Sequence, residues 1–465
     1  MKLFNTQNIK SIRELSSNNS KMDKTLGPID LLLLGVGAVI GTGIFVLTGI
    51  ASQYSGPALF FSFLISAVVC MFVALVYTEV AAMIPTSGSV YTYSYVALGE
   101  IFAWISACLL ILEFSVGAMT VAVGWSSYMV EILRQGGIEL PVMFTTPYFG
   151  GGMINLPAVI ISLFLTFILV RGTQTGALIN NTLVAVKLLA IFIFLIIAAP
   201  HFSLNNWDDF TPFGVNGVIK AAAVVLLAYT GFDSLATTVE ECKNPKRDIT
   251  IGLIGSLVVC AILYMAVAAM LTGIVPYSEL NNAKPLAYAL KRNGSNIGSA
   301  LVAVGGMAGM TTVILVNIYA QSRVLFVMSR DGLLPGVFSK LHTKYHTPYL
   351  SVIVVGIVVS IIAGLVPINV LSSLASMGTL SIFIIASIVV VVLRKQYPDI
   401  ERPFKCPVVY LISILSIVCC GYLFLQLIPE AGIYYIIWLF IGLILYFICK
   451  LKCSRVDIKN MLESK

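Results

Sequence analysis

The sequence predicts an all-α integral membrane protein with twelve transmembrane helices. Three observations carry that prediction: the composition, the length of the apolar runs, and the placement of lysine and arginine. The 465 residues are 58% hydrophobic and only 11% charged. Soluble chains average roughly 25% charged residues, so this one lacks the polar surface to cover itself in water. Lipid is the expected solvent for most of it.

The apolar residues gather into runs of about 17–25, the length a helix needs to cross roughly 30 Å of hydrocarbon. The expected spans are Ile29–Ile50, Pro57–Met83, Ile101–Val130, Leu156–Val170, Ala177–Ala199 and Gly217–Val239. The later half adds Ile251–Val275, Gly298–Met328, Leu350–Val366, Val370–Leu393, Val408–Ile428 and Ile433–Ile448. The runs are apolar all round, which argues against barrel strands with their alternating pattern. The first 27 residues are polar and the first run is long enough to span, so no cleavable leader is expected.

On these spans, 22 of the 28 lysines and arginines fall on one side of the membrane, the two tails among them. By the positive-inside rule that side is cytoplasmic, which places both termini inside. The net charge of +7 is then a topology signal and points to no nucleic-acid partner. Of the nine cysteines none falls in an outer loop, so no structural disulfide is expected, and no spacing resembles a metal site.

Two spans carry interruptions that a simple anchor does not need. The first contains Gly35, Gly37, Gly41, Thr42 and Gly43; the sixth reads Leu227-Ala228-Tyr229-Thr230-Gly231-Phe232-Asp233-Ser234. Glycine clusters also serve close helix packing. Irregular backbone at membrane depth persists only where protein or a water-filled cavity satisfies its N–H and C=O groups. Breaks in the first and sixth spans are corresponding positions if five helices repeat with inverted topology, the pointer to a mid-membrane site in secondary transporters. Half-helix N-termini suit a carboxylate and freed carbonyls suit an ammonium group, so such a site fits a zwitterion.

Six stretches carry a family resemblance: GVGAVIGTGIFVLTG (35–49), PTSGSVYTYSYVALGE (85–100), LILEFSVGAMTVAVGWSSY (110–128), AYTGFDS (228–234), ECKNPKRDI (241–249) and MSRDGLLP (328–335). In this order they resemble the amino acid–polyamine–organocation superfamily, most closely its bacterial cationic amino acid transporter branch. The resemblance implies the leucine-transporter fold, with inverted repeats over 27–200 and 201–396. Two further helices over 397–450 and cytoplasmic tails at 1–26 and 451–465 complete the expected organisation. It also implies alternating access in a bacterial inner membrane. Ile40, Gly41, Thr42 and Gly43 would hold the substrate backbone, and Leu227, Ala228 and Thr230 would supply carbonyls or gate contacts.

Lys187 lies about ten residues from either end of its expected span, roughly 15 Å along the axis, beyond the reach of a snorkelling stem. A charge at that depth is costly and expected to be partnered, whether in a structural ion pair or in proton exchange. The resemblance implies that it substitutes for the sodium ion of sodium-coupled relatives, contacting carbonyls near the first break. This predicts proton coupling without sodium. Glu113, mid-span in the third helix, is expected to pair with Lys187, face a cationic substrate or carry a proton; the resemblance sets it beside the cavity. Asp233 is expected as a stabilising or gating carboxylate, and Glu79 as a structural one.

Two positions depart from the family pattern. Leu227 stands where relatives often carry an aromatic gate, and offers no cation–π face. Asn317 stands where bacterial relatives tend to carry methionine; its buried amide requires a partner, in the cavity or across a helix interface. With Glu113 it predicts a pocket for neutral and cationic side chains. The expected partners are therefore an amino acid, a proton and the lipid bilayer, with no cofactor. The competing expectations are an amino acid exchanger, a channel or a nutrient sensor. A membrane enzyme fits less well, because the three histidines (His201, His342, His346) all lie in loops.

Overall fold

The computed structural model describes residues 24–135, 137–281 and 284–463. Most of the expected cytoplasmic tail at 1–26 therefore lies outside the described residues. Among them the regular structure is helical, with no strand beyond one isolated bridge between Leu26 and Cys242. The helices are α1 (Pro28–Val39), α2 (Thr48–Ser55), α3 (Leu59–Met83), α4 (Val90–Ala97), α5 (Glu100–Gln135), α6 (Leu156–Val170) and α7 (Thr173–Ala198). They continue as α8 (Gly214–Leu226), α9 (Pro245–Ile274), α10 (Pro285–Arg292), α11 (Asn296–Arg330), α12 (Tyr349–Leu365), α13 (Ile368–Gln396) and α14 (Val409–Glu463).

Eight helical stretches among the described residues are long and apolar enough, by length and composition, to cross a membrane. The first of these, Pro28–Met83, turns at Gly56, whose φ of 63° is left-handed, followed by Pro57. Pro at the start of a helical turn fits, because its missing N–H would be unpaired there. Three shorter apolar helices, α6, α12 and α8, complete the apolar set.

The distribution of side chains inverts that of a soluble protein. Ile433, Ile436 and Phe440 on α14 are about two-thirds exposed, as are Ile196 on α7 and Ile262 on α9. Lys187, Glu113, Asp233, Glu240, Glu241 and Arg323 are buried. Apolar groups outside and charges inside are what a bilayer solvent selects.

The centre is formed by the two interrupted segments. α1 packs against α7, α9 and α11, and α9 packs against α3. α5 packs on α11 and α13, and α14 lies outside against α13, α3 and α5. Two short helices, α4 and α10, interrupt the connections after α3 and after α9; neither has the length of a span, and the apolar runs did not foretell them.

Candidate functional site

The first glycine cluster ends a helix. α1 stops at Val39, and Ile40 takes an extended conformation with φ −77° and ψ 96°. Its N–H closes the last helical bond onto Val36 O at 3.0 Å. Helix resumes as a π-turn over Gly43–Leu47 and continues into α2. The second cluster behaves alike: α8 gives way to a 3₁₀ turn at Leu227–Tyr229, then Gly231 at φ 105°, then a 3₁₀ helix over Phe232–Glu241. Gly231 is required twice over. Its φ is left-handed, and a Cβ there would meet Ala38 O at 2.9 Å. The two breaks thus touch backbone to backbone, and Gly43 abuts Ala228 in the same way.

Freed carbonyls must find donors when buried. Here three side chains from neighbouring helices serve the first break. Lys187 on α7 donates from Nζ to Gly37 O at 3.0 Å and Ile40 O at 2.8 Å. Thr312 on α11 donates from Oγ1 to Gly37 O at 2.8 Å and accepts from Lys187 Nζ at 2.9 Å. Tyr264 on α9 places its hydroxyl 2.9 Å from Val39 O and 3.1 Å from Ala228 O. Beyond the break, Tyr128 on α5 donates to Phe45 O at 3.1 Å. At the second break, Ser234 bonds back to Gly231 O through both its N–H (3.2 Å) and its Oγ (2.6 Å).

Small residues on α11 let this contact form. Gly309 leaves room for Ile40 O and the Lys187 stem, and Gly305 abuts Ala190. A Cβ on Gly41 would lie 2.7 Å from Val313. Ile40, Gly41, Gly43 and Ala228 are buried, while Thr42 and Thr230 are partly exposed. The side chain of Leu227 lies outside the described residues.

Lys187 is fully buried, and its hydrogen-bond partners are three uncharged oxygens. Among the described residues no ion pair joins it to Glu113. Glu113 instead accepts from Thr379 Oγ1 of α13 at 2.7 Å, and its carboxyl neighbours that of Asp233. The reason is placement: Glu113 lies on the α5 face toward α13 and the second break, whereas Lys187 faces the first. Asn317 stands against Gly117, one turn along α5 from Glu113, where a Cβ would lie 3.1 Å from its Nδ2. Glu79 is held by Arg394 at 2.6 Å and by the Cys406 N–H at 2.7 Å.

Three of the signature stretches meet at a second place, where the 3₁₀ helix after Gly231 ends. Glu241 pairs with Arg323 at 2.8 Å, both side chains 1% exposed. The Arg323 guanidinium also lies 3.8 Å over the Tyr319 ring. Glu240 forms a two-pronged bond with Arg330 at 2.9 and 3.1 Å and accepts the Ser87 N–H at 3.0 Å. Tyr91 donates to Asp331 at 2.9 Å, and the Leu26 N–H bonds to Glu241 O at 3.0 Å.

Tyr264, Thr312, Tyr128 and Thr379 are site residues that sequence reasoning missed. The available signal was a buried hydroxyl on an apolar helix, which needs a partner. Nothing in the local sequence distinguishes a partner in a break from one on a neighbouring turn.

The family profile described as amino acid permease matches residues 26–449, nearly the whole described chain. The chain belongs to the amino acid permease family. It is 42% identical to the branched-chain amino acid permease BcaP of Bacillus subtilis (strain 168), over 98% of this chain and 99% of that protein. It is 40% identical to the methylthioribose transporter of the same organism, with the same coverage. It is also similar to the chloroplastic cationic amino acid transporter 9 of Arabidopsis thaliana, at 38% identity over 90% of this chain and 74% of that protein.

Proposed function

We propose that this permease is a secondary active, proton-coupled symporter that carries amino acids into a bacterial cell by alternating access. The single observation that supports it best is the meeting of two interrupted helices around Lys187. A zwitterion between the breaks has its carboxylate at the N–H groups that open the outer half-helix, around Gly41, Thr42 and Gly43. Its ammonium lies against carbonyls at Ala228 and Thr230. Lys187 takes and gives up a proton during the cycle. When charged, it ties Gly37 and Ile40 to α7; when neutral, it releases them.

In this reading the chain crosses the membrane twelve times, the first apolar stretch counting twice across Gly56, α14 twice on either side of Pro429, and the three shorter helices once each. An inverted repeat is supported by element lengths. After the first break and its eight-residue α2 come helices of 25, 8, 36, 15 and 26 residues. After the second come 30, 8, 35, 17 and 29. Both halves thus run in the same order, down to the 8-residue helix before the longest one. Both termini are cytoplasmic by the lysine and arginine placement.

The substrate range we propose is neutral amino acids with an extension to cationic ones. The Glu113–Asp233 carboxyl pair beside the second break supports the extension, and Asn317 one turn along supplies an amide. Relatives of nearly equal identity are named for different cargoes, so overall likeness does not choose among them.

The test is uptake of labelled leucine into proteoliposomes with an acidic exterior, no internal amino acid and no sodium. Net accumulation that a protonophore collapses is expected. Uptake that appears only when the vesicles are preloaded with an amino acid would replace symport with exchange.

A further inference from the structure

We propose that Tyr264 is a positioning residue of the transport site, its one hydroxyl proton serving both breaks in turn and settling on the first when substrate binds. The inference rests on the zwitterion reading above. The Tyr264 hydroxyl lies 2.9 Å from Val39 O and 3.1 Å from Ala228 O, one carbonyl from each interrupted helix. A phenol carries a single O–H, so it donates to one of these carbonyls at a time. The other is held at hydrogen-bonding distance without that proton.

The ring has no room to follow one carbonyl away from the other. Tyr264 is fully buried, with the Tyr229 ring centroid 5.1 Å away and that of Phe63 at 5.5 Å. Tyr229 is itself fixed by its hydroxyl bond to Phe63 O at 3.1 Å. The phenol is therefore a fixed post between two segments that each end a helix.

A substrate ammonium has three N–H donors and no acceptor. Placed at the second break, it donates to Ala228 O and removes that carbonyl's claim on the phenol. The Tyr264 proton then rests on Val39 O, and both carbonyls are satisfied at once. Binding of the amine and the register of the first break become linked through one hydroxyl. No proton is gained or lost in this step; it only changes acceptor.

The test measures equilibrium binding of leucine and N-methyl-leucine to the purified full-length protein, for the wild type and Tyr264→Phe. N-methylation blocks one ammonium donor. The wild type is expected to bind the methylated form about tenfold more weakly, the scale of one charge-assisted hydrogen bond. In Tyr264→Phe, which keeps the ring, that ratio is expected to fall toward one, because the Ala228 carbonyl is no longer held for the amine. If both ligands weaken together and the ratio stays, Tyr264 is a packing residue and the proposal fails.

A second variant carries the test if the first does not fold. Tyr264→4-aminophenylalanine places two N–H donors at the same point, so it serves both carbonyls without substrate. Weaker leucine binding than the wild type is expected, and equal or tighter binding overturns the proposal. Should the wild type bind no amino acid at all, the zwitterion reading fails first; a binding wild type with an unmoved ratio sinks only the role of Tyr264.

Discussion

Lys187→Ala is expected to abolish leucine accumulation driven by a pH gradient. The side chain makes three hydrogen bonds, two of them to carbonyls of the broken first helix. Its removal leaves Gly37 O with Thr312 and takes away the Lys187 bond to Ile40 O. Hydrogen bonds from charged groups contribute about 1.5–3 kcal/mol each, so the break loses its tie to α7. No other cation in the described residues contacts these carbonyls, so no group replaces the one we propose to exchange the proton. Lys187→Met, which fills more of the space left by the stem, separates packing from charge. Both variants are expected to keep measurable leucine binding while losing the response to pH. Full accumulation by either would remove Lys187 from the coupling step.

The second large effect is expected at the ion pairs below the second break. Arg323 and Glu241 are both 1% exposed and pair at 2.8 Å. Removing one partner of such a pair leaves a buried charge without compensation, which costs about 3–5 kcal/mol. Arg323→Met should therefore lower the thermal midpoint of the purified protein strongly. Arg323→Met combined with Glu241→Gln should recover much of that loss, since no bare charge remains. The same pair joins α11 to the end of the 3₁₀ helix that leaves the second break, next to the Leu26 N–H bond to Glu241 O. In the proposed alternating access, opening at this end would break it. Cys242, buried beside Glu241, reports the event: its alkylation in the single variant is expected to exceed that of the wild type. A single variant as stable as the wild type, with Cys242 equally protected, would contradict this role of the buried pair.

What was legible in the sequence follows from what each signal depends on. Helix existence came from apolar run length, a local property, and the observed helices cover the expected spans except that Val408–Ile428 and Ile433–Ile448, expected as two helices, run together in the continuous α14 with Pro429 inside it. The breaks at Gly41–Gly43 and Gly231 were legible because glycine clusters at mid-span are improbable unless backbone must bend or approach closely. The depth of Lys187 was legible for the same local reason, as its distance from the span ends is a count of residues.

Its partners were not legible. Thr312 and Tyr264 lie far along the chain from Lys187 and from the glycines they serve, and neither interrupts the apolar pattern of its own helix. The lack of an ion pair between Glu113 and Lys187 among the described residues has the same origin. The pitch of α5 turns Glu113 toward Thr379 and Asp233, and pitch relative to a neighbour is set only by packing. The short helices α4 and α10 were missed because eight residues carry too little periodicity to stand out from a loop. The Tyr91–Asp331 hydrogen bond joins two signature stretches that sequence reasoning had used only as marks of resemblance.

The central claim is that two helix breaks hold a zwitterion by bare peptide groups. Equilibrium binding of leucine, its decarboxylated amine and its deaminated acid to the purified protein tests it most directly. Each truncated ligand loses one charged end and the hydrogen bonds made to it, so each is expected to bind at least about tenfold more weakly than leucine. An amine or acid that binds as tightly as leucine would show that the site does not grip both ends, and the account would be wrong at its root.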